Sequence, residues 1–415
     1  MYDLKLTAEQ LEFRDTVRDF VAREIKPVVL QPIRLQDPQR KLPLELVDMA
    51  AQMGLRTLAL SEEAGGAGAD QLTACIVMEE LGAGDAGIAT TLARTSLLGH
   101  LLFDRLMTPA QRGRFLPAFA AGDRHHAALA NGEAVGEQAW EYYRPREAPG
   151  SQLTAARRGE EWLVSGVVPF VPNAPLAELF LLQARTESSD SVAFMVPRGT
   201  AGMTVVELDS AAAEIDGRRA VNWFHGPAGK LVLAECRLPA DLVVGADAAG
   251  VLAPEGEFAQ RDMLQMAAIN IGVGRAAYEA AVDYTKLRKQ GGRHIVEHQA
   301  IGTMLADMAI KLEAARNMVW KAAWSLDHPD AGADQGSLDL PLAVMAKIFV
   351  SEAVHEVTET GAECFGAMGV MLDMPLPKYV HDALVFIHSE MSNSVAKFNV
   401  AEAVAGYQRP APFIP

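Results

Sequence analysis

The sequence predicts a mainly α chain with a central β domain, and three observations carry that reading. From Leu6 to about Gly122 apolar residues recur at three- and four-residue spacing, as in helices that bury one face. Between about Asp123 and Gly245 the texture changes to short β-type runs punctuated by Gly, Pro, Asn and Asp. From about Phe258 long helical patterns return, enough for four helices in an up-and-down bundle. The expected domains are an all-α segment over 1–122, a small β-barrel or sandwich over 123–245, and a four-helix bundle over 246–415.

The first helix is signalled by Thr7 and Gln10, a T-x-x-Q capping box ahead of an amphipathic run with Leu11, Val17, Phe20 and Val21. A helix start so near residue 1 leaves no space for a signal or transit peptide, and the cytoplasm is the expected compartment. Turns are expected at Pro27, at Gly65-Gly66-Ala67-Gly68 and at Thr108-Pro109. In the middle block Trp162 to Val164, Leu179 to Gln183, Val192 to Val196 and Lys230 to Ala234 read as strands. The bundle helices are expected over Met263–Leu287, His298–Leu326, Leu342–Cys364 and Val380–Ala405. A loop is expected over Asp327–Leu340 and an extended tail from Gln408.

Composition narrows the function. Acidic residues outnumber basic ones by 53 to 37, a formal charge of -16, which argues against a general nucleic-acid binder. No apolar run reaches the ~18 residues of a membrane span. Cys75, Cys236 and Cys364 lie far apart with no CxxC spacing, so reduced, buried thiols are expected rather than a disulfide framework or a metal site.

Local strings sharpen the picture. Leu6-Thr7-Ala8-Glu9-Gln10, then Phe13-Arg14-Asp15-Thr16-Val17-Arg18 and Glu24-Ile25-Lys26-Pro27, open the chain. Met53-Gly54-Leu55 leads into the glycine run, and Met78-Glu79-Glu80-Leu81 follows. Arg288-Lys289-Gln290-Gly291-Gly292 runs into Val296-Glu297-His298-Gln299-Ala300-Ile301 and Leu305-Ala306-Asp307-Met308. With the order helical, β, helical, these strings resemble the acyl-CoA dehydrogenases over nearly the whole chain, the third one most closely the medium-chain members. The resemblance implies an FAD-dependent oxidoreductase that takes a proton and a hydride from an acyl-CoA thioester and passes electrons to an electron-transfer flavoprotein.

A thioester α-proton is weakly acidic, so its removal needs a carboxylate held close to that carbon in an apolar pocket. In the family that glutamate commonly lies in a Glu-Gly-Thr motif, eight residues after the Asp of an Arg-Asp-Ala string. Here His381-Asp382-Ala383 is followed at that distance by Glu390-Met391-Ser392, and the resemblance makes Glu390 the base. A second family solution places the glutamate before an arginine on another helix; that arginine resembles Arg261, and the residue before it is Gln260, whose amide cannot act as a base. Arg261 is expected to support the pocket. The usual Ile-Tyr before the glutamate is replaced by His388 and Ser389; Ser389 in place of an aromatic wall opens space and adds a hydroxyl, as a bulkier or more polar acyl group would need. His388 has two readings, a proton-transfer role or a plain packing or surface residue.

For the flavin, the resemblance implies that Arg288 pairs with the pyrophosphate of a cofactor held mainly by a neighbouring subunit, with His298 and Gln299 beside it. Ser392 supplies a hydroxyl, and the turn at Gly366 lets backbone approach the cofactor. Leu129 and Ala130 offer backbone amides, and Phe170 an aromatic cover for the ring. The family's middle-domain motif Thr-Glu-Pro-Gly-x-Gly-Ser-Asp is replaced by Ala130 to Glu137, without its hydroxyls; Pro172 stands for a threonine and Glu363 for a glutamine. Two assemblies follow as alternatives: a homo-oligomeric dehydrogenase, or a partner subunit that shares flavin with a more typical homologue. Family relatives with lyase or flavin monooxygenase chemistry form a third reading, the latter disfavoured by Glu390.

Overall fold

The computed structural model describes residues 5–37, 40–131, 153–188, 190–208, 214–215, 218–219, 224–245, 247–253, 256–331, 340–389 and 391–406. The N-terminal segment is helical: α1 (Ala8–Phe20), α2 (Lys26–Val29), α3 (Pro32–Leu35), α4 (Leu44–Gln52), α5 (Gln71–Gly82), α6 (Ala86–His100) and α7 (Pro109–Ala121). The capping box forms as its sequence predicts: Thr7 Oγ1 accepts from Gln10 N at 3.1 Å, and Gln10 Oε1 from Thr7 N at 3.0 Å. Thr108 and Gln111 repeat it before α7.

The turn expected at Pro27 does not occur. Wide π-type turns over Val21–Ile25, with Lys26 N bonded to Val21 O, carry the chain from α1 directly into α2. Pro27 therefore sits in a continuing helical run, directly after the wide turns whose last bond, Lys26 N to Val21 O, precedes a residue with no N–H to give.

The middle segment contains β1 (His126–Asn131), β2 (Leu153–Arg158), β3 (Glu161–Pro172), β4 (Ala177–Thr186), β5 (Ser191–Pro197), β6 (Met203–Leu208), the short pair β7 (Glu214–Ile215) and β8 (Arg218–Arg219), and β9 (Ala228–Pro239). The four runs read as strands from sequence all lie within β3, β4, β5 and β9. One mixed sheet runs β1-β4-β2-β3-β9-β6, with β5 also on β4; β4 is parallel to β1 and β2, and the other pairings are antiparallel. Successive β4 side chains point to opposite faces. Phe180 and Leu182 enter the sheet's own core with Leu153, Val164 and Leu231. Leu179 and Leu181 pack on Leu98, Leu102, Phe103 and Phe119 of the helical segment. The unbroken apolar run at Leu179–Leu182 thus belongs to a strand covered on both faces.

The C-terminal segment holds α8 (Ala248–Val251), α9 (Glu257–Leu287), the hairpin β10 (Lys289–Gln290) and β11 (Arg293–His294), then α10 (Gln299–Asp327), α11 (Leu342–Phe365), α12 (Leu376–His388) and α13 (Asn393–Ala405). The last helix expected from sequence is two helices. Ser389 and Ser392 both take extended backbone, and Ser392 stands at the N-cap of α13. The serines compete for backbone hydrogen bonds and favour such breaks, while Ile387, Met391, Val395 and Phe398 keep a three- and four-residue apolar spacing that reads as continuous.

The N-terminal helices and the bundle share one core. Gly82 of α5 and Gly272 of α9 let the two helices meet backbone to backbone: an added methyl would strike Ile269 O from Gly82 and Glu79 O from Gly272. Around this crossing Arg275 pairs with Glu80 at 2.6 Å, Arg316 with Glu79 at 2.8 Å and Arg18 with Glu80 at 2.7 Å, linking α1, α5, α9 and α10. All three cysteines are free and buried. Among the described residues no helix is long and apolar enough to cross a membrane, and no cluster of metal-ligating side chains occurs.

Candidate active site

The end of α12 gathers the residues around the expected base. Glu390 itself lies outside the described residues. Immediately before it, the half-buried Ser389 donates its hydroxyl to Val385 O at 2.9 Å, and His388 is exposed. Beyond it Ser392 is half-buried, at the start of α13. From α11, the buried Lys347 reaches into this break and donates to Ile387 O at 3.1 Å and Met391 O at 2.7 Å.

One turn and a half earlier on α12, three segments of the chain meet. Lys378 Nζ lies 2.6 Å from Asp382 and 3.4 Å from Asp85, the N-cap of α6. Burial opposes both charges. For Lys378 the two carboxylates outweigh it and raise the ammonium above its ordinary range; for Asp382 the Lys378 charge outweighs it and holds the carboxylate well below. His225, from the segment preceding β9, donates from Nε2 to Asp382 O at 3.1 Å and lies on Phe386, ring centroids 4.5 Å apart. Burial lowers the His225 pKa, so its ring is neutral.

That contact brings the sheet to α12. Phe224, next to His225, meets Phe170 of β3 edge to face at 5.3 Å, so a run of ring contacts leads from Phe170 to Phe386 in the second half of α12. Leu129 and Ala130 lie on β1, which among the described residues pairs only with β4. Successive backbone N–H groups of a strand point to opposite edges, so one of these two amides faces β4 and the other the outer edge. The sheet is also tied to α6: His126 Nδ1 and Thr95 Oγ1 are 3.0 Å apart, and Asn173 Nδ2 donates to Thr91 O at 2.9 Å. The stretch 132–137, where the family motif is replaced, is outside the described residues.

Arg288, His298, Gln299 and Gly366 occupy a different place. Arg288 ends α9, and the hairpin Lys289–His294 turns through Gly291 and Gly292, both at positive φ, to deliver His298 and Gln299 at the start of α10. His298 Nε2 donates to Gln290 O at 3.1 Å. Tyr284 stacks on Phe365, 4.0 Å between centroids, which sets the end of α9 beside Gly366. Arg288, Gln299 and Gly366 are exposed and His298 half-buried. Lys347, at the α12 break, and Phe365, at this end, are separated by eighteen residues of α11, which at 1.5 Å per residue places the two groups about 27 Å apart within one chain.

On α9, Gln260 and Arg261 are half-buried. Arg261 Nε donates to Glu257 at 2.9 Å and its Nη1 lies 3.6 Å from Asp327, whose carboxylate accepts from Gln71 N and Leu72 N at the start of α5. Arg261, His100, Asp104 and Asp327 line a cavity of about 300 Å³. α9 has no glutamate directly before an arginine, but an acid follows Arg261 at Asp262, a signal that lies outside the family's spacing. Asp262 is a buried carboxylate 3.5 Å from Arg94 of α6, so α9 does present an acid toward the junction of α6 with the sheet.

Comparison with known proteins agrees with this architecture. Residues 7–123 match the family model described as acyl-CoA dehydrogenase, N-terminal domain, and residues 259–405 the one described as acyl-CoA dehydrogenase, C-terminal domain. A Mycobacterium tuberculosis protein described as a probable acyl-CoA dehydrogenase is 29% identical over 413 residues, covering 97% of each chain. The mitochondrial short-chain specific acyl-CoA dehydrogenase of Bos taurus is 28% identical over 395 residues, 94% of this chain and 88% of that one. The solved structure of butyryl-CoA dehydrogenase from Megasphaera elsdenii superposes with a TM-score of 0.80 at 25% identity, covering 97% of this chain and 100% of that one.

Proposed function

This chain belongs to the acyl-CoA dehydrogenase family, and from that premise we propose that it desaturates a CoA thioester of a bulky or polar acyl group between its α and β carbons. FAD, the family's cofactor, supplies the hydride acceptor when bound. The observation that carries the reading is the run of contacts by which Phe170 of the sheet, through Phe224 and His225, reaches the half of α12 that leads to Ser389.

In this reading Glu390 takes the α-proton. Phe170 would cover the flavin ring, the backbone at Leu129 and Ala130 and the Ser392 hydroxyl would hold it, and Ser389 supplies room and a hydroxyl for the acyl group. Gln260 and Arg261 support the pocket from α9. Taking the α-proton builds negative charge on the substrate carbon, and keeping water out strengthens the electrostatic interactions that stabilise it.

Arg288, His298, Gln299 and Gly366 gather toward the Phe365 end of α11, about 27 Å along that helix from Lys347, which supports their use toward the flavin of an adjoining subunit. The working unit is then an oligomer, either of identical chains or with a homologous partner, and its electrons leave to an electron-transfer flavoprotein. The chain purified alone distinguishes the assemblies: flavin absorbance in stoichiometric amount supports the homo-oligomer, and a colourless protein that gains flavin only with a co-expressed homologue supports the heteromer. For the base, Glu390→Gln is expected to lower kcat by roughly 10²- to 10⁴-fold with flavin retained. Retention of turnover in Glu390→Gln, with loss in Asp262→Asn, would move the base to α9.

A further inference from the structure

We propose that Lys347 is the positioning residue for the base: it bonds both of the described segments that flank residue 390 in sequence, the end of α12 and the start of α13, and so holds the break from which the base acts. The inference rests on the reading of Glu390 as the base. Lys347 is 5% exposed, and an ammonium so placed is retained only where its protons find acceptors. Among the described residues it donates to Ile387 O at 3.1 Å, Met391 O at 2.7 Å and Asn393 Oδ1 at 2.7 Å. The first is among the last carbonyls of α12, the negative end of that helix. The second directly follows residue 390, and the third opens α13. One cation thus bridges the whole break.

The bridge is itself held. Ser351, one turn along α11, accepts from Asn393 Nδ2 at 2.9 Å, and Glu352 accepts from the same amide at 3.3 Å. Met391 N also bonds Ser389 O at 2.8 Å, and side chains from α11 join the two helix ends across the break. A misplacement of about 1 Å in a reacting group can cost 10²-fold in rate. A cation bonded to the carbonyl of Met391, the residue that follows Glu390 in sequence, also favours the ionised form of a neighbouring carboxylate.

The test uses the full chain loaded with FAD, and the saturated acyl-CoA it turns over fastest among straight, branched and hydroxylated thioesters. Lys347→Met is expected to lower kcat by about 10²-fold, to leave KM within about threefold, and to move the acid limb of the kcat/KM profile to higher pH, with Lys347→Arg recovering the limb. Asn393→Ala, which keeps the cation, is expected to lower kcat by about tenfold without moving the limb, and it decides the matter if Lys347→Met does not fold. In a Glu390→Gln background Lys347→Met is expected to add no further loss. A folded, flavin-loaded Lys347→Met with unchanged kcat and acid limb overturns the proposal, as does unchanged kcat in Asn393→Ala or a full additional loss in the double variant. Turnover retained in Glu390→Gln alone overturns the base assignment instead, which separates the two failures.

Discussion

Lys378 and Asp382, one turn apart on α12, form a buried ion pair 2.6 Å long that Asp85 of α6 completes from another part of the chain. Lys378→Met leaves two carboxylates facing each other without their cation. A loss of about 3–5 kcal/mol in unfolding free energy is expected, readable as a lower denaturant midpoint at pH 7. Asp85→Asn, which retains the shorter contact, is expected to cost less.

Acid stability offers a second check. Burial, helped by Arg56, lowers His126 to about 4. The unfolded ring titrates near 6.5, so below that pH the unfolded state binds the extra proton and the folded state resists it. Stability is therefore lost as pH falls from 6.5 toward 4, by about 3 kcal/mol for this residue. His225, shifted the same way by its burial, adds to the trend. Thermal melts from pH 7 to pH 4 are expected to show a shallower decline in His126→Gln than in the parent protein.

Arg288 separates cofactor binding from folding. It is exposed at the end of α9, so Arg288→Gln is expected to change stability by no more than about 0.5 kcal/mol. Losing a charged hydrogen bond to the cofactor phosphates is expected to weaken flavin retention by roughly 10- to 100-fold. Flavin absorbance before and after dialysis, with melting of the apoprotein, checks both halves.

The crossing of α5 and α9 admits no side chain. Gly272→Ala forces its methyl into Glu79 O and is expected to cost about 3 kcal/mol through displaced backbone. Urea unfolding measures it.

Much of this was legible before any coordinates. Long helices announce themselves by period, and β4 by a run of apolar residues too short for a helix, so α9, α10, α11 and the strands stand where the pattern puts them. The misreadings have local causes. Pro27 looked like a stop because sequence gives no sign of the π-type turns that precede it, and the break at Ser389–Ser392 was masked by apolar spacing that continues across it. The site was legible only where resemblance named single residues. Lys347 with Met391, Lys378 with Asp85 and Arg94 with Asp262 are pairings between residues distant in sequence, and only the fold brings them together.

The glycine crossing also sets what a movement of the sheet would have to disturb. With α5 and α9 in backbone contact and their surroundings laced by Arg275 and Arg316, the helical segment and the bundle share one core. The sheet meets the helices through Leu179 and Leu181 and through bonds at Thr95, Thr91 and Asp382. A shift of the sheet against that core would have to break the Asn173–Thr91 and His225–Asp382 bonds, while Leu179 and Leu181 could slide over Leu98 and Leu102 without losing a hydrogen bond.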